Sequence, residues 1–470
     1  MINILLRNML TNFAKDRIYI VILLAFIISI SILFGNLYIY AILLGLFLSI
    51  FAFLNPRIAF WFILINVYIL SSLVSVYFPF IGKKILWVTD LILVTLAFRV
   101  CVDIAMHKVS RKGSKIDIFL FVLIFLCIVS SIVNRVSLTV FLCGLRNYFK
   151  YIPLFFVARF YLNNKKSLTG LFRFLILVAV LNVPVAIGQF FLYHDFDAVG
   201  GLFSLGGSGI LTVFQLLMVG YLLIIAENGI IAKWKAIALS LLLFVPIFIN
   251  QTKVVFFLFP ILLIYIYKYF LVKKPFQAFF IILLGIFLLF SLVSIYSAIV
   301  PGFYIKDLFS RDWLYQYLYK DSYNLNVGGL NRLSAVTFAI ASISKNAFHF
   351  LMGTGIGNAS LSNIPGGMGA YYEKYFYLKI DLVFLSKILW EEGFLGTLLF
   401  FLIVFKLWRC SSLVYRRAKD SRMKSHAVFF GLLVLVLTIN ILYDGSFYYD
   451  AFGCMFWLLG GYFSNREQIS

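Results

Sequence analysis

The sequence predicts an all-α polytopic membrane protein of about 12–14 transmembrane helices with one long extracytoplasmic loop. Three observations predict it. Of the 470 residues 63% are hydrophobic, 19% aromatic and only 12% charged, with a mean hydropathy of +1.02. No water-soluble fold of this length hides that much apolar surface, so lipid must solvate most of it. Apolar runs of about 17 to 25 residues recur along the chain, each enough to cross roughly 30 Å of hydrocarbon. Lys and Arg residues fall in alternate connections, as the positive-inside bias requires.

The runs lie near 19–35, 37–54, 58–81, 85–106, 116–134, 137–161, 168–193, 208–226, 232–249, 252–271, 276–300, 381–408, 427–443 and 446–464. The first is long enough to stay as a helix, so no cleavable signal peptide is expected. With Arg7, Lys15 and Arg17 cytoplasmic, the inside connections carry Arg57, Arg99 to Lys115, Arg159 to Arg173, Lys233 and Lys235, Lys268 to Lys274, Lys406 to Lys424, and Arg466. The outside turns offer only Lys83, Lys84, Arg135 and Lys253. The reading is therefore N-in and C-in, with an even count that falls to twelve if two short hairpins do not cross. The chain divides into 1–300 with the first eleven spans, an extracytoplasmic segment 301–380, and 381–470 with the last three. The net charge of +22 then serves orientation and contact with anionic membrane lipids, with no need for nucleic acid. Five cysteines (101, 127, 143, 410 and 454) without paired spacing argue against a disulfide framework, a zinc site or a redox motif.

Three irregular regions fall on the external face: His194 to Ser208, Asn250 to Lys253, and 301–380. Within the last, residues 329 to 351 keep apolar residues at helical spacing with Arg332, Lys345 and His349 interspersed. That pattern predicts an amphipathic helix along the membrane surface, ended by Gly353, Gly355 and Gly357. No internal repeat and no soluble domain is visible.

Arg146 and Lys150 lie inside the sixth span, and their i, i+4 spacing puts both on one helix face. A cation at the bilayer centre costs about 2.5 to 3.5 kcal/mol on insertion scales. Two together call for an anionic ligand such as a diphosphate, or for an internal ion pair with Asp90, Glu391 or Glu392. Lys253 caps the external end of its helix, as a ligand or as a snorkelling lysine. Arg332 sits at a helix start, where N–H groups and a guanidinium can share an oxyanion, and an ordinary loop arginine is its plain alternative. Asp381 opens the twelfth span as a base or a cap, with Glu391 and Glu392 deeper. His194 and His349 are lone loop histidines, more often structural than catalytic. GGLFSLGGSG and GTGIGN match neither a Walker nor a dinucleotide pattern.

Three stretches resemble the bacterial O-antigen polymerase and ligase superfamily. They are the intramembrane arginine in GLRNYFKYIPLFF, the span GGSGILTVFQLLMVGYLL followed by NQTKVVFFLFPILL, and NRLSAVTFAIASISKNAFHFLMGTGIGNAS followed by DLVFLSKILWEEGFLG. Lys253 stands where that family usually has an arginine. Ile380-Asp381-Leu382-Val383 stands where the ligase branch usually shows a His-Asn pair, which favours the polymerase branch. The resemblance implies an enzyme of the bacterial inner membrane that transfers a growing glycan from undecaprenyl diphosphate to a hydroxyl of the next lipid-linked repeat unit. It implies no nucleotide sugar, and a polysaccharide chain-length regulator as partner. Breaking a glycosyl–diphosphate bond builds charge on the leaving phosphate, so fixed cations suffice and no metal is obligatory. Arg146, Lys150, Lys253 and Arg332 take that role. Asp381 is the first choice of base and a catalytic candidate with Arg332 and Arg146; Glu391, Glu392, His194 and His349 follow. The alternatives are an O-antigen ligase acting on lipid A core and a lipid-linked-oligosaccharide flippase. The paired half-repeats usual in carriers are not visible.

Overall fold

The computed structural model describes residues 37–71, 73–74, 85–107, 114–162, 165–196, 198–203, 205–250, 252, 254–271, scattered positions between 275 and 294, 329–362 and 364–469. The expected run near 19–35, most of that near 276–300, residues 301–328 and Lys253 lie outside them. Every regular element among the described residues is helical. They are α1 (Leu37–Leu54), α2 (Pro56–Ile65, continued as a π-turn over Asn66–Leu70), α3 (Ile85–Ala105), α4 (Lys115–Val133), α5 (Leu138–Phe149), α6 (Ile152–Tyr161), α7 (Lys165–Tyr193), α8 (Ser208–Glu227), α9 (Lys233–Ile249), α10 (Val255–Leu271), α11 (Arg332–Ile343), α12 (Ala347–Met352), α13 (Ala370–Tyr375), α14 (Phe384–Arg417), α15 (Ser421–Asn440) and α16 (Asp450–Ile469), with short 3-10 turns between.

By length and composition, α4, α7, α8, α14 and α15 can cross a membrane, so the chain is an all-α membrane protein. The apolar windows of α8 and α15 are 83% and 78% buried, against 33% and 39% for α4 and α7. The first two are therefore central pillars, and the second two present most of their surface outward, where lipid replaces a core.

The connections gather at two ends of the bundle. At one end Arg159 of α6 pairs with Asp117 of α4 at 2.7 Å, and Tyr161 donates to Asp103 of α3. Lys165 of α7 reaches Asp420 before α15 at 3.4 Å, and Asn228 after α8 donates to Ser425 at 3.0 Å. At the other end, Gln189 accepts from the N–H groups of Gly200 and Gly201, and Asn182 from that of Leu202. These bonds fold residues 200–202 back onto α7, and Asn250 ties α9 to the start of α8.

Three elements differ from expectation. The single helix expected over 137–161 is two, α5 and α6, because Pro153 in the first turn of α6 has no N–H and its ring clashes with the carbonyl of Phe149. The amphipathic helix expected over 329–351 breaks at Ser344–Asn346 into α11 and α12, with the Asn346 side chain capping α12 by accepting from Phe348 and His349. Helix α14 is broken at Gly393, whose φ of 64° and ψ of −164° suit glycine alone.

That last break positions the centre of the molecule. It frees the carbonyls of Trp390 and Glu391, and residues 353–360, all buried, fold in to take them. The Thr354 N–H and hydroxyl both donate to Trp390 O at 2.8 Å, and the Gly355 N–H donates to Glu391 O at 3.1 Å. Asn134 and Ser130 of α4 and its end donate to Gly353 O, while Ser131 accepts from the Ile356 N–H. Irregular backbone inside a membrane protein is tolerated where such partners satisfy it. The same loop lies so close to α5 that a Cβ at Gly357 would sit 2.3 Å from Val140 O.

Candidate functional site

Residues 443–450, between α15 and α16, gather the charged groups of the loop-rich end. The Phe384 N–H donates to Asp444 O and the Leu385 N–H to Ile441 O, so the end of α15 and this connection together hold donors at the start of α14 that have no helical partner. Arg332, at the first position of α11 as the sequence predicts, donates from Nε to Tyr443 O at 2.9 Å and lies 4.3 Å from the Tyr443 ring centroid. Asp444 accepts from the Ser446 N–H and, in a short hydrogen bond, from its hydroxyl. Burial pushes the Asp444 carboxyl up to about 6, against the pull of Ser446 and the Arg332 charge.

Further along, Tyr448 receives Lys387, whose Nζ lies 3.4 Å from its ring centroid and 5.5 Å from that of Tyr148. Lys387 is 6% exposed and forms no ion pair among the described residues. The two tyrosine rings, 5.2 Å apart and edge to face, give it cation–π contact beside the opposite charges of Glu391, Asp381 and Glu392. Asp450 ends the connection, accepting from Lys150 Nζ at 2.9 Å and from the Tyr151 hydroxyl at 2.7 Å.

Arg146 and Lys150 share a face, as their spacing requires: both reach Asp90, at 2.6 and 3.2 Å. Their ion-paired alternative with Asp90 is the arrangement found, and Asp450 completes it. Two cations and two carboxylates leave this network with no net charge, which offsets the cost of burying either sign alone.

The acids of the site surround Lys387. Glu391, one turn on, is fully buried and accepts from the Ala359 N–H at 3.1 Å and, in a short bond, from the Ser360 hydroxyl. The carboxylate is thus held by the 353–360 loop. Glu392 is 3% exposed, its carboxylate unpartnered among the described residues, with the Cys127 thiol beside it. Its side chain folds over Gly396, where a Cβ would lie 3.0 Å from Oε2. Asp381 does not cap α14, which begins at Phe384 after Val383. Its Oδ2 accepts from the Leu361 N–H at 3.3 Å, and burial raises its carboxyl pKa while Lys387 lowers it.

His349 of α12 bonds through Nε2 to Asn134 Oδ1 at 2.9 Å, and burial lowers its pKa. It braces the loop from outside. His194 is an exposed residue of positive φ that ends α7, and none of the bonds of this cluster involves it. Lys253 lies outside the described residues.

Sequence reasoning missed Lys387, Asp450 and the 443–450 connection. The signal for Lys387 was present: a lysine four residues before Glu391 within an apolar span puts both on one helix face. Together the groups offer cations beside a burial-shifted carboxylate at a buried loop, suited to stabilising a developing anion and receiving a proton. Among the described residues, no group of three or more His, Cys, Asp or Glu is placed to hold a metal ion. No protein-family model and no curated protein matches this chain.

Proposed function

We propose that the chain is a membrane-embedded glycosyltransferase that polymerises undecaprenyl-diphosphate-linked repeat units at the outer face of a bacterial inner membrane, with the loop-rich end outward and both termini inside. One observation carries the reading: the 353–360 loop and the 443–450 connection bring Arg332 and Lys387 to the same end of α14 as Asp381 and Glu391. The resemblance of residues 331–360 and 381–396 to O-antigen polymerases supports it.

In the proposed reaction, an acceptor hydroxyl oxygen attacks the anomeric carbon of the donor glycan and the bond to undecaprenyl diphosphate breaks. The bonding electrons leave with the diphosphate, and the hydroxyl proton passes to Asp381, with Glu391 or Glu392 the next choice. Arg332 meets the leaving diphosphate from the start of α11, and Lys387 adds positive potential from within. Arg146 and Lys150 take part by exchanging an Asp90 or Asp450 contact for a phosphate oxygen.

A carrier of lipid-linked oligosaccharide is the second reading, favoured by the breaks at Lys150–Tyr151 and Gly393, since discontinuous helices beside buried charges are a transporter device. Surface glycan in a deletion strain separates the readings. Glycan one repeat unit long on lipid A core is the expected result. Absence of glycan from the core, with full-length polymer still made, would assign a ligase; internal accumulation would assign the carrier.

A further inference from the structure

At the end of the bundle away from 443–450, α7 and α15 start side by side. A cavity of about 390 Å³ opens between their first turns. Its walls include Lys165, Lys166, Arg173, Asp420, Arg422 and His426. Lys165 is paired with Asp420 at 3.4 Å, so the lining keeps a net positive charge from its other cations. Helix α15 is 20 residues long, which puts this cavity about 30 Å from the 443–450 connection. It is a separate site.

Its lining includes a buried imidazole with one ring nitrogen unpartnered among the described residues. His426 is 4% exposed and its ring stacks on Phe172 at 4.2 Å between centroids. Its Nδ1 lies 3.2 Å from the Tyr221 hydroxyl, and Nε2 has no partner among the described residues. With the tyrosine O–H donating to Nδ1, the imidazole proton sits on Nε2, which leaves a donor for an anion held by the surrounding cations. Beyond the cavity, the same face of α7 turns apolar. Arg173, Leu177 and Leu181 follow one another at i, i+4 and i+8 on α7, and both leucines are exposed. A cationic cavity continuing into an outward leucine stripe fits a phosphate head with an acyl chain attached.

We infer that this cavity is a binding site for the phosphate headgroup of an anionic phospholipid, whose acyl chain runs along α7 past Leu177 and Leu181. Free phosphate shares the headgroup chemistry but makes no use of the leucine stripe. The site anchors α7 to α15 at the end opposite the reaction centre, and it uses general lipid of the membrane, not the lipid-linked substrate.

The test uses the purified full chain in nanodiscs of mixed phosphatidylcholine and phosphatidylglycerol, with lipid retained after detergent extraction counted by mass spectrometry. Wild type is compared with Lys166→Gln/Arg173→Gln/Arg422→Gln and with a control of equal charge loss, Lys235→Gln/Arg409→Gln/Arg416→Gln. Each surface cation is worth roughly fivefold in anionic-lipid binding, so the cavity variant should weaken phosphatidylglycerol retention on the order of 10²-fold while the control retains it. Equal loss in both variants would reduce the effect to diffuse charge and overturn the site. So would retention unchanged in both. Inorganic phosphate added as competitor at millimolar concentration should leave the bound lipid in place; cavity-dependent phosphate binding without phosphatidylglycerol enrichment would also overturn the lipid assignment.

Discussion

Asp381 is the residue at which a chemical role and a structural one part most cleanly. Burial raises its pKa, so the folded protein disfavours the charged carboxylate more than the unfolded chain does. The group therefore contributes stability that is full below the ordinary aspartate value and is lost as pH rises through the folded value. A base must instead be ionised, so activity through Asp381 falls as pH drops through that same folded value. Asp381→Asn removes both effects: the amide keeps an acceptor for the Leu361 N–H but cannot take a proton. The variant should be at least as stable as wild type at neutral pH while turnover falls about 10²-fold or more. Thermal unfolding and turnover measured on one preparation decide it; near-wild-type turnover would move the proton to Glu391 or Glu392. The residues also mark what the sequence carries. Arg332 at a helix start and Arg146 with Lys150 on one face follow from spacing alone. The spacing of Lys387 to Glu391 was legible too, but its two aromatic partners, one on α5 and one in the 443–450 connection, are connected to it by no local pattern.

Among the elements, α14 and the loop it receives decide the site. The glycines of GTGIGN end a helix, as their composition predicts, with Gly353 at φ 75° after α12. The break inside α14 was not legible, since an isolated glycine in an apolar run is compatible with a continuous helix. What breaks it is tertiary: a Cβ at Gly393 would stand 2.4 Å from Gly353 N, so the loop and the break exist together. Gly393→Ala should therefore cost about 1–3 kcal/mol in backbone strain alone, with displacement of the loop in addition. Gly188→Ala, where the added methyl group meets nothing, should be neutral or stabilising by about 0.5–1 kcal/mol in helix α7. Thermal midpoints in detergent compare the two. Equal midpoints would mean that the 353–360 loop is not held by the break.

At the scale of the molecule, hydropathy and charge alternation predict the helical architecture and which connections share an end. They do not reach the division of labour between the ends. The loop-rich end holds the burial-shifted carboxylates of Asp381 and Asp444 and the Arg146–Lys150–Asp90–Asp450 network; the other end holds the Arg159–Asp117 and Lys165–Asp420 pairs and the α7–α15 cavity. This asymmetry suits an enzyme that works on one face only, whereas a carrier must open its charged centre to both. The decisive measurement is reconstitution of the purified chain in liposomes containing undecaprenyl-diphosphate-linked repeat units, without nucleotide sugar. The account predicts lipid-linked glycans of two and more repeat units, with one undecaprenyl diphosphate released for each linkage formed. Movement of lipid-linked units across the bilayer with no growth in glycan length would contradict it.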